Sequence, residues 1–123
     1  MKKRSLISIV DDDQSVRESL PELLNEFGFS VQVFSSAEAF LASEWLELTE
    51  CLILDIALLG MSGPDLHQEL KRRGSDIPVI FITAHGDEIV RPLMLKRGAV
   101  ECLFKPFSAT ALLEAINTAL KVV

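Results

Sequence analysis

At 123 residues and 13.6 kDa the chain has room for one domain rather than two. A composition of 49% hydrophobic and 24% charged residues argues against disorder and supports a core large enough to stand without staples. Eighteen Asp and Glu against twelve Lys and Arg give a net charge of −6, which speaks against a free-standing nucleic-acid binder.

Short apolar runs rich in Val and Ile alternate with longer amphipathic stretches. Leu6 to Val10 reads as a first strand, interrupted only by Ser8, and Asp11, Asp12 and Asp13 follow it in a row. Gln14 to Phe27 reads as a helix with Val16, Leu20, Leu23, Leu24 and Phe27 at helical spacing and Gly28 at its end. Pro21 falls inside it and removes the bond to the Arg17 carbonyl, so a kink or a solvent partner for that carbonyl is expected. Val31 to Phe34 is a second strand. Ser35 with Glu38 three residues later reads as a capping box opening a helix at Ala37 to Ser43. Cys51 to Leu54 is a third strand, ending at Asp55, and Gly63 to Arg73 a helix stopped by Gly74. Val79 to Thr83 is a fourth strand and Glu88 to Arg97 a helix closed by Gly98. Val100 to Phe104 is a fifth strand, and Ala109 to Leu120 a last helix capped by Ser108.

This is a βα unit repeated five times. Strands apolar on consecutive positions are buried on both faces, which predicts an α/β fold: a doubly wound, five-stranded parallel sheet covered by five helices. Cys51 and Cys102 lie in apolar stretches without metal-ligand spacing, and buried free thiols are expected. Met1-Lys2-Lys3-Arg4 resembles the start of a signal peptide, but the apolar run after it is too short, and no stretch approaches a membrane span. A soluble, cytoplasmic protein is expected.

In an open α/β sheet, sites form beyond the carboxyl ends of the strands. Here those ends deliver Asp11, Asp12 and Asp13 from the first strand, Asp55 from the third, Thr83 from the fourth and Lys105 from the fifth. Singly, each has a plain explanation as a helix cap, turn residue, strand end or surface lysine. Asp13 fits the cap; one helix start does not need Asp11 and Asp12 as well. Clustered carboxylates repel unless a cation sits among them, and hard oxygen donors suit Mg²⁺ or Mn²⁺. A carboxylate, a hydroxyl and an ammonium beside a divalent cation make a plausible phosphoryl-acceptor site.

Val10-Asp11-Asp12-Asp13, Asp55, Thr83-Ala84-His85-Gly86-Asp87 and Lys105-Pro106-Phe107 resemble the receiver domain of bacterial two-component response regulators. The stretches SSAEAFLAS, ITAHGD and RGAVECLFKPF are most similar to receivers of nitrogen-fixation-type transcriptional regulators. The resemblance covers nearly the whole chain and implies one receiver domain over 1–123, flavodoxin-like, with strand order 2-1-3-4-5. It implies that Asp55 is the phosphoacceptor, with Asp12 binding Mg²⁺ directly, Asp11 through water, and the Ala57 backbone carbonyl completing the protein ligands. Thr83 and Lys105 would contact the phosphoryl group, and Lys105-Pro106 is a candidate cis peptide. The implied partner is a sensor histidine kinase. The implied output is a change in the face of the fourth helix, fifth strand and last helix; its apolar content, Ile89, Leu93 and Met94 among it, suits phosphorylation-dependent homodimerisation, although some of these side chains must face the core instead. Neither nucleic acid nor membrane is contacted by such a domain. Receivers of this type precede a helix-turn-helix output domain, so the chain is expected to be a fragment of a longer transcription regulator.

Three features depart from the family pattern. The segment after the acceptor reads Asp55-Ile56-Ala57-Leu58-Leu59 where Asp-x-x-Met-Pro is common, leaving the loop less constrained. Cys102 stands three residues before Lys105, where an aromatic is usual, so any coupling to Thr83 must be weak, altered or carried by a neighbour such as Phe104. Leu59-Gly60-Met61 is an apolar, flexible stretch beside the site, and His85 is a candidate to influence hydrolysis of an aspartyl phosphate. The rival readings are an Asp-nucleophile phosphatase or phosphotransferase, and a receiver-like module that is never phosphorylated. The enzyme usually needs a second carboxylate two residues after the nucleophile, where this chain has Ala57.

Overall fold

The computed structural model describes residues 4–84, 86 and 88–121; the His85 and Asp87 readings lie outside the described residues. Five strands, β1 (Leu6–Val10), β2 (Ser30–Phe34), β3 (Cys51–Asp55), β4 (Val79–Thr83) and β5 (Glu101–Phe104), form one parallel sheet in the order β2-β1-β3-β4-β5. Five helices alternate with them: α1 (Gln14–Glu26), α2 (Ala37–Leu41), α3 (Gly63–Arg72), α4 (Val90–Lys96) and α5 (Ala109–Lys121). The predicted fold class and strand order are those observed.

The sheet divides two apolar layers because residues alternate faces along each strand. Val10, Leu52, Leu54, Val79, Phe81 and Cys102 pack toward Phe40 of α2, Leu66 and Leu70 of α3 and Met94 of α4. Ile7, Ile9, Cys51, Ile53, Ile80 and Ile82 pack toward Leu20 and Leu24 of α1 and Leu112 and Ile116 of α5. All five residues of β3 and of β4 are buried. Both cysteines are free and buried. Ser8, the polar interruption in β1, is buried against Thr49, with their hydroxyl oxygens 2.6 Å apart. Thr49 Oγ1 in turn donates to the Trp45 carbonyl, which braces a short 3₁₀ turn at Leu46–Leu48 that hydrophobic spacing does not announce.

Several boundaries differ from the sequence reading. The helix expected from Glu88 starts at Val90. A helix begun at Glu88 would need the N–H of residue 92 to bond the Glu88 carbonyl, and Pro92 has none; a start at Val90 leaves Pro92 in the first turn, where no N–H is required. Pro21 lacks that escape, yet α1 runs through it from Gln14 to Glu26. The expected capping box is displaced by one residue. Ser36, not Ser35, caps α2 by accepting from the Ala39 N–H at 3.1 Å, so Glu38 stands second in the helix rather than third. Asp13 and Ser108 cap α1 and α5 as expected, through Ser15 and Ala111. Among the described residues no helix is long and apolar enough to cross a membrane.

His67 of α3 is buried edge-on against Phe81, with ring centroids 5.5 Å apart. Burial, with Lys71 and Arg97 nearby, pushes its pKa down to about 4. The folded protein therefore keeps His67 neutral between pH 6.5 and 4 while the unfolded chain takes up a proton, so this group withdraws stability as pH falls through that window. His67→Phe keeps a ring in place and removes the titration. In urea denaturation its stability relative to the parent should rise by a few kcal/mol from pH 7 to pH 4.5; a pH-independent difference would refute the assignment.

Candidate functional site

β1 is flanked by β2 on one side and β3 on the other, so the chain order reverses there and opens a crevice at the strands' carboxyl ends. Asp11 follows β1, Asp55 is the last residue of β3, Thr83 the last of β4, and Lys105 follows β5. The sheet's register brings residues separated by up to 94 positions to one edge.

Asp11 is fully buried, and both of its carboxylate oxygens are engaged. Oδ1 accepts from the Asp13 N–H at 2.8 Å and Oδ2 from Lys105 Nζ at 2.9 Å. Lys105 Nζ also lies 3.6 Å from Asp55 Oδ2, so one ammonium bridges two carboxylates. Asp55 is nearly buried, with Oδ1 accepting from the Ala57 N–H at 3.1 Å. Asp12 faces solvent. One oxygen from each of Asp11, Asp12 and Asp55 lies within 4.8 Å of the others. Thr83 is buried, and its carbonyl accepts from the Lys105 N–H at 2.8 Å. Asp13 turns away to cap α1, as expected, and its bonds from the Ser15 hydroxyl and N–H hold its carboxyl below the usual range. The Lys105-Pro106 peptide is cis.

The electrostatics follow from this crowding. Burial, and then the charge of Asp11, push the pKa of Asp55 up to about 6, against the pull of the Ala57 N–H and Lys105. Burial opposes the charge on Lys105, but its contacts with Asp11 and Asp55 outweigh that and raise its pKa. Three carboxylates against one ammonium leave the pocket short of positive charge. A hard divalent cation, bound by oxygen, fits both the donor set and the deficit.

Sequence reasoning missed two residues that shape the site. Arg17 donates from its guanidinium to the Asp11 carbonyl at 2.9 Å; its place one turn into α1 gave no signal beyond that of a solvent-facing arginine. Gly63 opens α3 so close to β3 that a Cβ there would sit 2.3 Å from the Asp55 carbonyl oxygen. A Ser-Gly-Pro helix start does not show that its glycine is wanted for close approach.

A doubly wound sheet with this acidic, lysine-bridged pocket at its switch point defines the receiver class of signalling domains. The chain belongs to the response regulator receiver domain family, which it matches over residues 7–117. It is 44% identical over 119 residues to the response regulator protein TodT of Pseudomonas putida, covering 97% of this chain and 52% of TodT. It is 41% identical over 113 residues to the transcriptional regulatory protein FixJ of Rhizobium meliloti, covering 92% of this chain and 55% of FixJ. The chain thus spans about half the length of these curated relatives. The structure of the FixJ N-terminal domain superposes with a TM-score of 0.86 at 37% identity, covering 99% of this chain and 98% of that one.

The raised pKa of Asp55 has a consequence for stability. Between the unfolded value near 4 and about 6 the folded state holds the extra proton, so stability is lost as pH rises through that window and stays lost above it. Asp55→Asn should therefore stabilise the metal-free protein at pH 7 by on the order of 2 kcal/mol, raising its melting temperature by several degrees. The gain should shrink toward zero at pH 4, and a variant less stable than the parent at pH 7 would contradict this account.

Proposed function

We propose that the chain, over 1–123, is a phosphorylation switch whose acceptor is Asp55. The observation that carries this reading is the pocket itself: a carboxylate at a strand end, shielded from bulk water, with Lys105 3.6 Å away and two further carboxylates beside it. A sensor histidine kinase presents a phosphohistidine. An Asp55 oxygen attacks phosphorus, the P–N bond breaks, and its electron pair leaves with the imidazole. No base is required, because Asp55 is largely ionised at neutral pH even in the pocket. Lys105 and the Thr83 hydroxyl receive the phosphoryl oxygens. Mg²⁺ or Mn²⁺, when held by Asp12, Asp55 and the Ala57 carbonyl with Asp11 reaching it through water, supplies positive charge for the phosphoryl oxygens. The full engagement of Asp11 with Asp13 and Lys105 supports its indirect role, and the exposure of Asp12 a direct one.

The domain is a switch and not an enzyme in this reading: Ala57 offers no second carboxylate to drive turnover, leaving only phosphoryl transfer and slow self-dephosphorylation. It works in the cytoplasm and regulates transcription through an output domain outside these residues. Incubated with Mg²⁺ and acetyl phosphate, the chain should gain one phosphoryl group by intact mass, and Asp55→Asn should gain none. No adduct would sink the reading, and rapid repeated turnover would favour a phosphatase.

The phosphorylated state is read through α4, β5 and α5, by homodimerisation. Ile89 is 71% and Leu93 46% exposed, while Met94 is buried and belongs to the core. Arg91 and Glu101 join α4 to β5 by a two-pronged ion pair, with Nε–Oε1 at 2.7 Å. Phosphorylation should shift the chain from monomer to dimer in sedimentation. Leu93→Glu with Ile89→Glu should take up phosphate and stay monomeric; dimerisation of that variant would move the interface elsewhere.

A further inference from the structure

We propose that Glu38 of α2 is a positioning residue for the Asp55 site, its carboxylate holding the β3–α3 loop in the shape that keeps the Ala57 peptide against Asp55. The inference rests on the receiver reading for the meaning of the site.

The loop from Ile56 to Ser62 holds one glycine and no proline, so nothing in its composition stiffens it. Its base is closed by the main chain: the Ile56 N–H donates to the Ile82 carbonyl at 3.0 Å and the Gly63 N–H to the Ile56 carbonyl at 3.1 Å. The outgoing limb carries Ala57, whose N–H reaches Asp55 Oδ1. Leu58 is buried and anchors that limb, whereas Leu59 at the tip is 83% exposed. The chain then turns through Gly60 at φ +76°, and the Met61 N–H donates to Glu38 Oε2 at 2.9 Å. This bond crosses 23 positions of sequence and ties the returning limb to a different element.

The fit around that carboxylate is close. A Cβ at Gly60 would lie 2.7 Å from Glu38 Oε2, so residue 60 must lack a side chain both for its left-handed turn and for the carboxylate to sit there. Glu38 is available for this task because the cap of α2 is complete without it. Ser36 accepts from the Ala39 N–H, and with Ser36 as the cap Glu38 stands one residue short of the capping-box position. An acceptor oxygen on the Met61 N–H gives the returning limb a fixed partner, whether that oxygen is charged or neutral. Fixing the return limb limits the conformations open to Ala57 four residues earlier, whose N–H and carbonyl both face the site's chemistry in the receiver reading.

Glu38→Ala and Glu38→Gln in the full chain test this. Glutamine keeps an acceptor oxygen for Met61 and alanine does not. In the metal-free protein, Glu38→Ala should speed amide hydrogen exchange at both Met61 and Ala57, and Mg²⁺ titration followed by NMR should show affinity weakened about three- to tenfold. Glu38→Gln should stay within about twofold of the parent on each measure. If Glu38→Ala speeds exchange at Met61 alone and leaves Ala57 and Mg²⁺ affinity unchanged, the bond is local and the proposal falls. It also falls if Glu38→Gln is as impaired as Glu38→Ala, since charge and not the bond would then be responsible. A parent chain that neither binds Mg²⁺ nor takes phosphate defeats the receiver reading, while Ala57 exchange still decides what Glu38 does.

Discussion

The Lys105–Asp11 bond ties the residue after the last strand to the residue after the first, at the edge where three carboxylates gather. Asp11 is fully buried, and a buried carboxylate without a partner is too costly for a domain of this size. Lys105 supplies the partner and leans far enough to reach Asp55 as well. One positive charge does not balance three carboxylates, and burial together with the charge of Asp11 raises the pKa of Asp55 in spite of Lys105. The pocket is thus held together by an interaction that leaves it electrostatically incomplete, which is the condition under which a divalent cation or a phosphoryl group can alter its energy.

The rest of the fold serves to make that arrangement rigid. β3 and β4 are buried along their whole length and apolar up to their last residues, so Asp55 and Thr83 stand at the ends of strands fixed by the core on both faces. Gly63 lets α3 start in contact with the Asp55 carbonyl, closing the crevice from one side. Arg17 grips the Asp11 carbonyl from α1 on the other.

How much of this could be read from sequence depended on the kind of signal. The strands were legible because burial on both faces leaves continuous apolar runs, and the strand-end residues followed from them. The start of α4 was misplaced because amphipathic spacing continues through Glu88, while Pro92 vetoes it through a single missing N–H. Ser35 offers the better pattern, with Glu38 three residues on, yet the backbone makes Ser36 the cap of α2. That one-residue ambiguity concealed the task of Glu38, whose partner lies 23 positions away. Arg17 and Gly63 give no signal either, because contact with the backbone carbonyl of a neighbouring element has no periodicity.

Cys102 and Phe104 show how β5 divides its contacts between the core and the rim of the sheet. Cys102 is buried in the layer under α4 and offers no ring to move. Phe104, two residues on and 39% exposed, places its ring against Gly86, where a Cβ would come within 2.2 Å of Phe104 Cδ1. β5 therefore meets the segment after Thr83 through an aromatic on its rim, where the usual receiver has one at position 102. Phe104 pairs with Thr83 in the sheet register, and the Thr83 carbonyl holds the Lys105 N–H. In the receiver reading, a displacement of Gly86 would meet the exposed Phe104 ring, while Cys102 lies apart in the buried layer. Leucine at position 104 would keep the strand while removing that contact, which separates the rim from the core as the carrier of the switch.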